Sequence, residues 1–264
     1  MGNENNFVPC SFCRDREPLH KKGYYYVYTE QGNIKGIAEC NCHKEYIRNK
    51  KLYTILKNSN LNIQEEEFSV FENYHSHYRG EKSFSSISKI DKYIHNFSLH
   101  NNAYKAMLYF CGDPGSQKTY TAKYVGYHLV KKGFSVYYTL MQSLILTISP
   151  DFETDSDRKK REFLLHVDSL IIDDSFDKRR VTLYRSGYQL PILESFLKER
   201  FDIRRKGIIF VSTVHPKKIE EQGFGSSLEN FIVRNTVQKG TLLSFEDIYD
   251  REIHKIEDMS AIFS

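Results

Sequence analysis

At 264 residues, 40% of them hydrophobic, the chain can bury one substantial core with a small accessory module beside it, and its composition excludes a wholly disordered polypeptide. A formal net charge of +4 is too mild to establish a nucleic-acid partner by itself. No run of about 18 apolar residues spans a bilayer and the start MGNENNFVPC is too polar for a secretory segment, so the expectation is a cytoplasmic protein without membrane contact.

Five cysteines are unevenly spread. Four fall early, as Cys10-x2-Cys13 and Cys40-x-Cys42, and Cys111 stands alone. Clustered pairs in a chain lacking an export signal favour thiolate metal ligation over disulfides. Between the pairs, GYYYVYTEQGNIKGIAE supplies β-formers around a Gln-Gly-Asn turn, which predicts a hairpin. Such a module has almost no apolar core, so a tetrahedral zinc ion held by Cys10, Cys13, Cys40 and Cys42 would contribute on the order of 10 kcal/mol to its folding. His20 and His43 are alternative ligands, read here as ordinary surface histidines.

A basic helical stretch follows from Lys44 to about Asn60, then an acidic turn at Glu65 to Glu67 and the aromatic FSVFENYHSHY, together a connector packed on the main domain. Beyond Ser83 the pattern alternates. A helix around Ile87 to Asn101 leads into AMLYFCG, a buried strand, and YTAKYVGYHLVKKG continues as a helix stopped by Gly133. SVYYTL is the next strand, helical residues including Arg158 to Arg161 precede VDSLIIDD, and the helix LPILESFLKERFD precedes the strand GIIFVST. Strands alternating with helices predict an α/β fold with a parallel, doubly wound sheet, whose ligands sit at the carboxyl ends of the strands.

The stretch GDPGSQKT lies at such an end. Gly112, Asp113, Pro114, Gly115, Ser116, Gln117, Lys118 and Thr119, with Tyr120 after them, form a phosphate loop in which Gln117 replaces the usual second Gly. Backbone N–H groups would surround phosphates, Lys118 would neutralise them and Thr119 would hold magnesium. Asp173 ends an apolar strand 55 residues after Lys118, where its carboxylate can lie beside Thr119, and Asp174 is placed to polarise water. A side chain at position 117 intruding on the phosphate space would cost about 1–3 kcal/mol, or roughly five- to 150-fold in affinity. Binding survives such a loss; efficient turnover does not follow. Three basic runs, at residues 158–161, 178–180 and 204–206, are candidate nucleic-acid contacts as well as ordinary solvated surface.

In order along the chain, CSFCRDRE, ECNCHKEY, FSVFENY, GDPGSQKT, SLIIDD, LPILESFLKERFDIRRKGIIFVST and NFIVRN resemble the DnaC/DnaI-type bacterial helicase loaders, AAA+ ATPases related to the transposition regulator IstB. The resemblance runs from Cys10 to about Arg251. It implies a zinc-binding module at residues 1–48, a helical connector at 49–82 and an AAA+ ATPase domain at 83–264. It further implies ATP and magnesium as ligands, a hexameric replicative helicase and single-stranded DNA as partners, and self-association through the ATPase domain. By position, Lys118 and Thr119 would contact phosphates and magnesium, Asp173 the magnesium and Asp174 the water. Thr213 falls in the sensor strand, Arg234 matches the arginine that reaches a neighbouring subunit's site, and Arg251 matches a second arginine near the end. Gln117, and Val214 where the family often has Asn, depart from the pattern and imply slow hydrolysis, or a protein that uses ATP as an assembly ligand more than as fuel. Two other functions fit parts of the sequence: an IstB-like regulator on duplex DNA, and a zinc-module adaptor whose nucleotide pocket is vestigial.

Overall fold

In the computed structural model the described residues are 9–14, 22–63, 81–97, 107–149, 154–181 and 188–245. His20, Arg251, the acidic turn at 65–67 and the FSVFENY stretch lie outside them. The chain divides into two compact units, Met1–Ile55 and Leu56–Ser264.

In the first unit, a short helix α1 (Ser11–Arg14) precedes the antiparallel hairpin of β1 (Tyr24–Tyr28) and β2 (Ile34–Glu39), and α2 (Asn41–Asn58) follows. Gly32, at φ +82°, makes the turn that the Gln-Gly-Asn sequence predicts. Gly23 is needed for another reason: an added Cβ would meet the His43 side chain at 2.5 Å, and φ is +82°. Among the described residues of this unit Cys13, Gly23 and Cys40 are buried, and the rest are partly or fully exposed.

The second unit contains α3 (Glu81–Asn96), β3 (Met107–Cys111), α4 (Lys118–Lys131), β4 (Val136–Leu140), α5 (Met141–Ile148), α6 (Asp155–His166), β5 (Ser169–Asp173), α7 (Gln189–Lys198), β6 (Gly207–Ser212), α8 (Ser226–Asn235) and β7 (Leu242–Ser244). Every residue of β3, β5 and β6 is buried, which explains their continuous apolar runs: both sheet faces are covered. The strand order is β4-β5-β6-β3-β7, and all neighbours are parallel. Between β3 and β4 the chain therefore crosses from an inner position to the far edge. The carboxyl ends of β3, β5 and β6 are left side by side, as in ligand-binding α/β sheets.

Three local features depart from the sequence reading. The helix expected over LPILESFLKERFD is α-helical only to Lys198 and widens into a π turn, Glu199–Ile203. That turn carries Arg200, fully buried, whose guanidinium donates to the carbonyls of Leu164, Val167 (2.7 Å) and Gly207 (3.0 Å). Burial pulls its pKa down to about 9. The strand expected to end in two carboxylates stops at Asp173; Asp174 lies beyond it in a left-handed conformation, φ +51°. Finally β7, three residues long, adds an edge strand beside β3.

Candidate functional site

The loop from Gly112 to Gln117 joins β3 to α4 and opens on a cleft of about 380 Å³, lined by Gly115, Gln117, Lys118, Thr119, Asp173, Asp174, Arg180 and Thr213 among others. Gly112 faces Phe245 so closely that an added Cβ would lie 3.1 Å from the Phe245 Cβ, and Gly115 has φ +83°. Both glycines are thus required by the chain path. Gln117 is the residue before α4, and its own backbone is left-handed at φ +61°, ψ +18°. A side chain held there costs about 1–2 kcal/mol relative to glycine. The departure at 117 therefore has a backbone origin in addition to the bulk anticipated from the sequence.

Lys118 is buried and curls back over the loop, its ammonium donating to the Asp113 carbonyl (2.5 Å) and the Ser116 hydroxyl (2.9 Å). Ser116 also donates to the Asp113 carbonyl, at 2.8 Å. These oxygens mimic the acceptors that a phosphate would present. Burial lowers the lysine's pKa, against the pull of neighbouring Cys111, Asp173 and Asp113. The first turn of α4 begins at the same point, which brings the positive end of the helix dipole to the cleft.

Across the cleft, Thr119 Oγ1 donates to Asp173 Oδ2 at 2.8 Å, and Tyr138 donates its hydroxyl to the same oxygen at 2.7 Å. Tyr138 stands on β4, whose Leu140 pairs in register with Asp173. Burial, followed by the Asp173 carboxylate, pushes its pKa up, so it acts as a donor. The second oxygen of Asp173 accepts the Asp174 N–H at 2.7 Å, and Asp174 pairs with Arg180. Thr213, just past β6, donates to Asp177 Oδ2 at 3.3 Å. Asp177 is buried and also bound by Arg179; that pairing holds its carboxyl down at about 2.

The sulfurs of Cys10, Cys13, Cys40 and Cys42 all lie within 4.8 Å of one another. Cys10 to Cys13 is 3.7 Å, Cys10 to Cys40 3.6 Å and Cys13 to Cys42 3.5 Å. Four thiolates about 2.3 Å from one zinc ion have edges of roughly 3.8 Å, so the set fits a tetrahedral thiolate site. No pair is at bonding distance, and all four are free cysteines. His43 is not part of the cluster: its Nδ1 lies 2.7 Å from Glu39 Oε1 and its ring packs by Tyr24 and Tyr46.

No family model matches the chain. The replicative helicase loader DnaC of Buchnera aphidicola subsp. Baizongia pistaciae (strain Bp) is 28% identical over 189 residues, 70% of this chain and 70% of that one. The solved DnaC helicase loader superposes with a TM-score of 0.50 at 21% identity, over 72% of this chain and 97% of its own. DnaI gives 0.50 at 15% identity, over 73% and 93%. The chain resembles the DnaC-type helicase loaders. A solved DNA replication initiation factor shares the fold at a TM-score of 0.53 and 19% identity, over 73% of this chain and 54% of that longer one. The fold class is accordingly the AAA+ arrangement, a parallel α/β sheet preceded by a small cysteine-bearing module.

On this DnaC-type fold the sequence motifs fall unevenly. Lys118, Thr119, Asp173, Asp174 and Thr213 share one cleft. Arg234 does not: it is exposed in the last turn of α8 and absent from the cleft lining. Val214 is partly buried against the core, and its carbonyl accepts the Tyr109 hydroxyl at 2.7 Å. Tyr138, Arg180 and Asp177 escaped the sequence reading. Tyr138 had a signal, its place near the carboxyl end of a parallel strand; Arg180 was hidden in a basic run. Of the three basic runs much is paired internally: Arg158 with Asp155, Arg179 with Asp177, Arg204 with Glu199 and Lys206 with Asp168.

Proposed function

We propose that the chain is an ATP-binding helicase loader of the DnaC type, which engages a hexameric replicative helicase and single-stranded DNA and hydrolyses ATP slowly. The observation that carries this reading is the 2.8 Å hydrogen bond from Thr119 to Asp173, which joins phosphate loop and metal-type carboxylate in one cleft beside the buried Lys118. In the proposed mechanism Lys118 exchanges the Asp113 carbonyl and Ser116 hydroxyl for phosphate oxygens at the positive end of the α4 dipole. Thr119 and Asp173 hold magnesium, which when bound neutralises charge on the phosphates. Asp174 orients the attacking water, Thr213 lies beside it at the end of β6, and exposed Arg234 is available to the cleft of a second copy, with Arg251 as a further arginine. The left-handed Gln117 weakens binding and turnover without closing the loop. Zinc on Cys10, Cys13, Cys40 and Cys42 orders the module that meets the helicase.

The test combines a magnesium–ATP titration of wild type and Lys118→Ala with co-purification of a hexameric helicase. Saturable binding that the substitution weakens at least tenfold, together with helicase capture, is the expected result. No ATP binding at millimolar concentration removes the ATP-dependent reading. ATP-driven filaments on duplex DNA without helicase capture would favour the transposition-regulator function.

A further inference from the structure

Arg180 is the least expected member of the cleft. It follows the tight turn after Asp177, where the Arg180 N–H donates to the Asp177 carbonyl at 2.9 Å. Asp177 is itself fixed by Thr213 and Arg179, so the backbone under Arg180 is anchored to the floor of the site. Its side chain is directed to Asp174, with which it forms an ion pair. Both partners line the same cleft as Lys118 and Thr119, and the Arg180 charge acts on the Lys118 ammonium.

The pair is well solvated, the side chains being 46% and 39% exposed. Solvated pairs of this kind hold weakly. A terminal phosphate carries more charge than a carboxylate and offers three acceptor oxygens to the planar guanidinium fork. Lysines of phosphate loops meet the outer phosphates, so the terminal phosphate of a triphosphate held by Lys118 would share the cleft with Asp173 and Asp174, and a diphosphate would lack it.

We infer that Arg180 senses the nucleotide state within its own subunit, leaving Asp174 for the terminal phosphate of a nucleoside triphosphate and releasing that carboxylate to orient water. With a diphosphate the Arg180–Asp174 pair persists and Asp174 stays neutralised. The inference rests on the nucleotide reading above, and it reassigns Arg180 from a basic surface run to the cleft chemistry.

Magnesium–ATP and magnesium–ADP affinities of the full-length wild type, Arg180→Ala, Arg180→Lys and Asp174→Ala test it. Arg180→Ala is expected to lose about tenfold in ATP affinity and less than about twofold in ADP affinity, with Arg180→Lys recovering part of the ATP loss. Asp174→Ala is expected to tighten ATP about two- to fivefold, because Arg180 no longer has a partner to leave. ADP binding also reports that each variant is folded. An unchanged ATP-to-ADP ratio in Arg180→Ala, or equal losses for both nucleotides, overturns the sensor role and leaves the site intact. A wild type that binds neither nucleotide overturns the site itself.

Discussion

Thr119 and Tyr138 donate to the same oxygen of Asp173, at 2.8 and 2.7 Å. One hydroxyl belongs to the first turn of α4 and the other to the edge strand β4. Tyr138 is also held by its backbone: its N–H donates to the Ser59 carbonyl and its carbonyl accepts the Asn60 amide, both at 2.8 Å. Asp173 is therefore oriented by a rigid donor even when Thr119 is engaged elsewhere.

Tyr138→Phe removes that donor while keeping the ring. A hydrogen bond to a charged acceptor is worth about 1.5–3 kcal/mol, part of which Thr119 retains. ATP binding in the presence of magnesium should weaken by roughly three- to tenfold, and binding in chelator should not change. Equal effects with and without magnesium would show that Tyr138 acts on the loop and not through Asp173.

Gln117→Gly relieves the left-handed backbone at φ +61°. The relief, about 1–2 kcal/mol, is offset by the greater freedom of glycine in the unfolded chain, about 0.4–1 kcal/mol, so the melting temperature should move little. ATP affinity should rise about fivefold or more, and turnover with it. Weaker binding by the glycine variant would mean that the Gln117 amide itself holds phosphate.

The contrast between Lys118 and Arg180 shows what the sequence makes legible. The turn from Gly112 to Gln117, β3, β5 and β6 could be read because an inner parallel strand has to be apolar throughout and glycines mark the turn from strand to helix. The cysteine cluster could be read because paired spacing at both ends of a hairpin brings four sulfurs together. Arg180 and Arg200 could not, since each owes its place to groups far along the chain or across a turn: Asp174 for one, the carbonyls of Leu164, Val167 and Gly207 for the other. Tyr138 reads as a β-former in a run of them. The three residues of β7 carry no period, and their pairing with Tyr109 to Cys111 is decided by the sheet.

Removing metal should unfold the first unit selectively. Structural zinc contributes about 10–16 kcal/mol at pH 7 in small thiolate sites, more than the sparse core around Cys13 and Cys40 can replace. Elemental analysis should find one zinc per chain, and Cys13→Ser should lower that occupancy and expose residues 9–55 to protease. The second unit should keep its ATP affinity. Full metal content in Cys13→Ser would argue against the four-cysteine set.

Asp177 makes the acid side of the stability curve informative. Its carboxyl is held at about 2, below the ordinary 3.8, chiefly by Arg179 and also by Thr213. A depressed folded-state pKa stabilises the protein above the unfolded value, so the contribution is complete above about pH 4 and disappears as pH falls toward 2. Arg179 is 77% exposed, so solvent screening keeps the contribution small. Asp177→Asn should lose that contribution at pH 7, and its urea midpoint should converge with wild type near pH 2. Parallel midpoints from pH 7 to 2 would remove Asp177 as the source, and with it the anchored turn that aims Arg180 at Asp174.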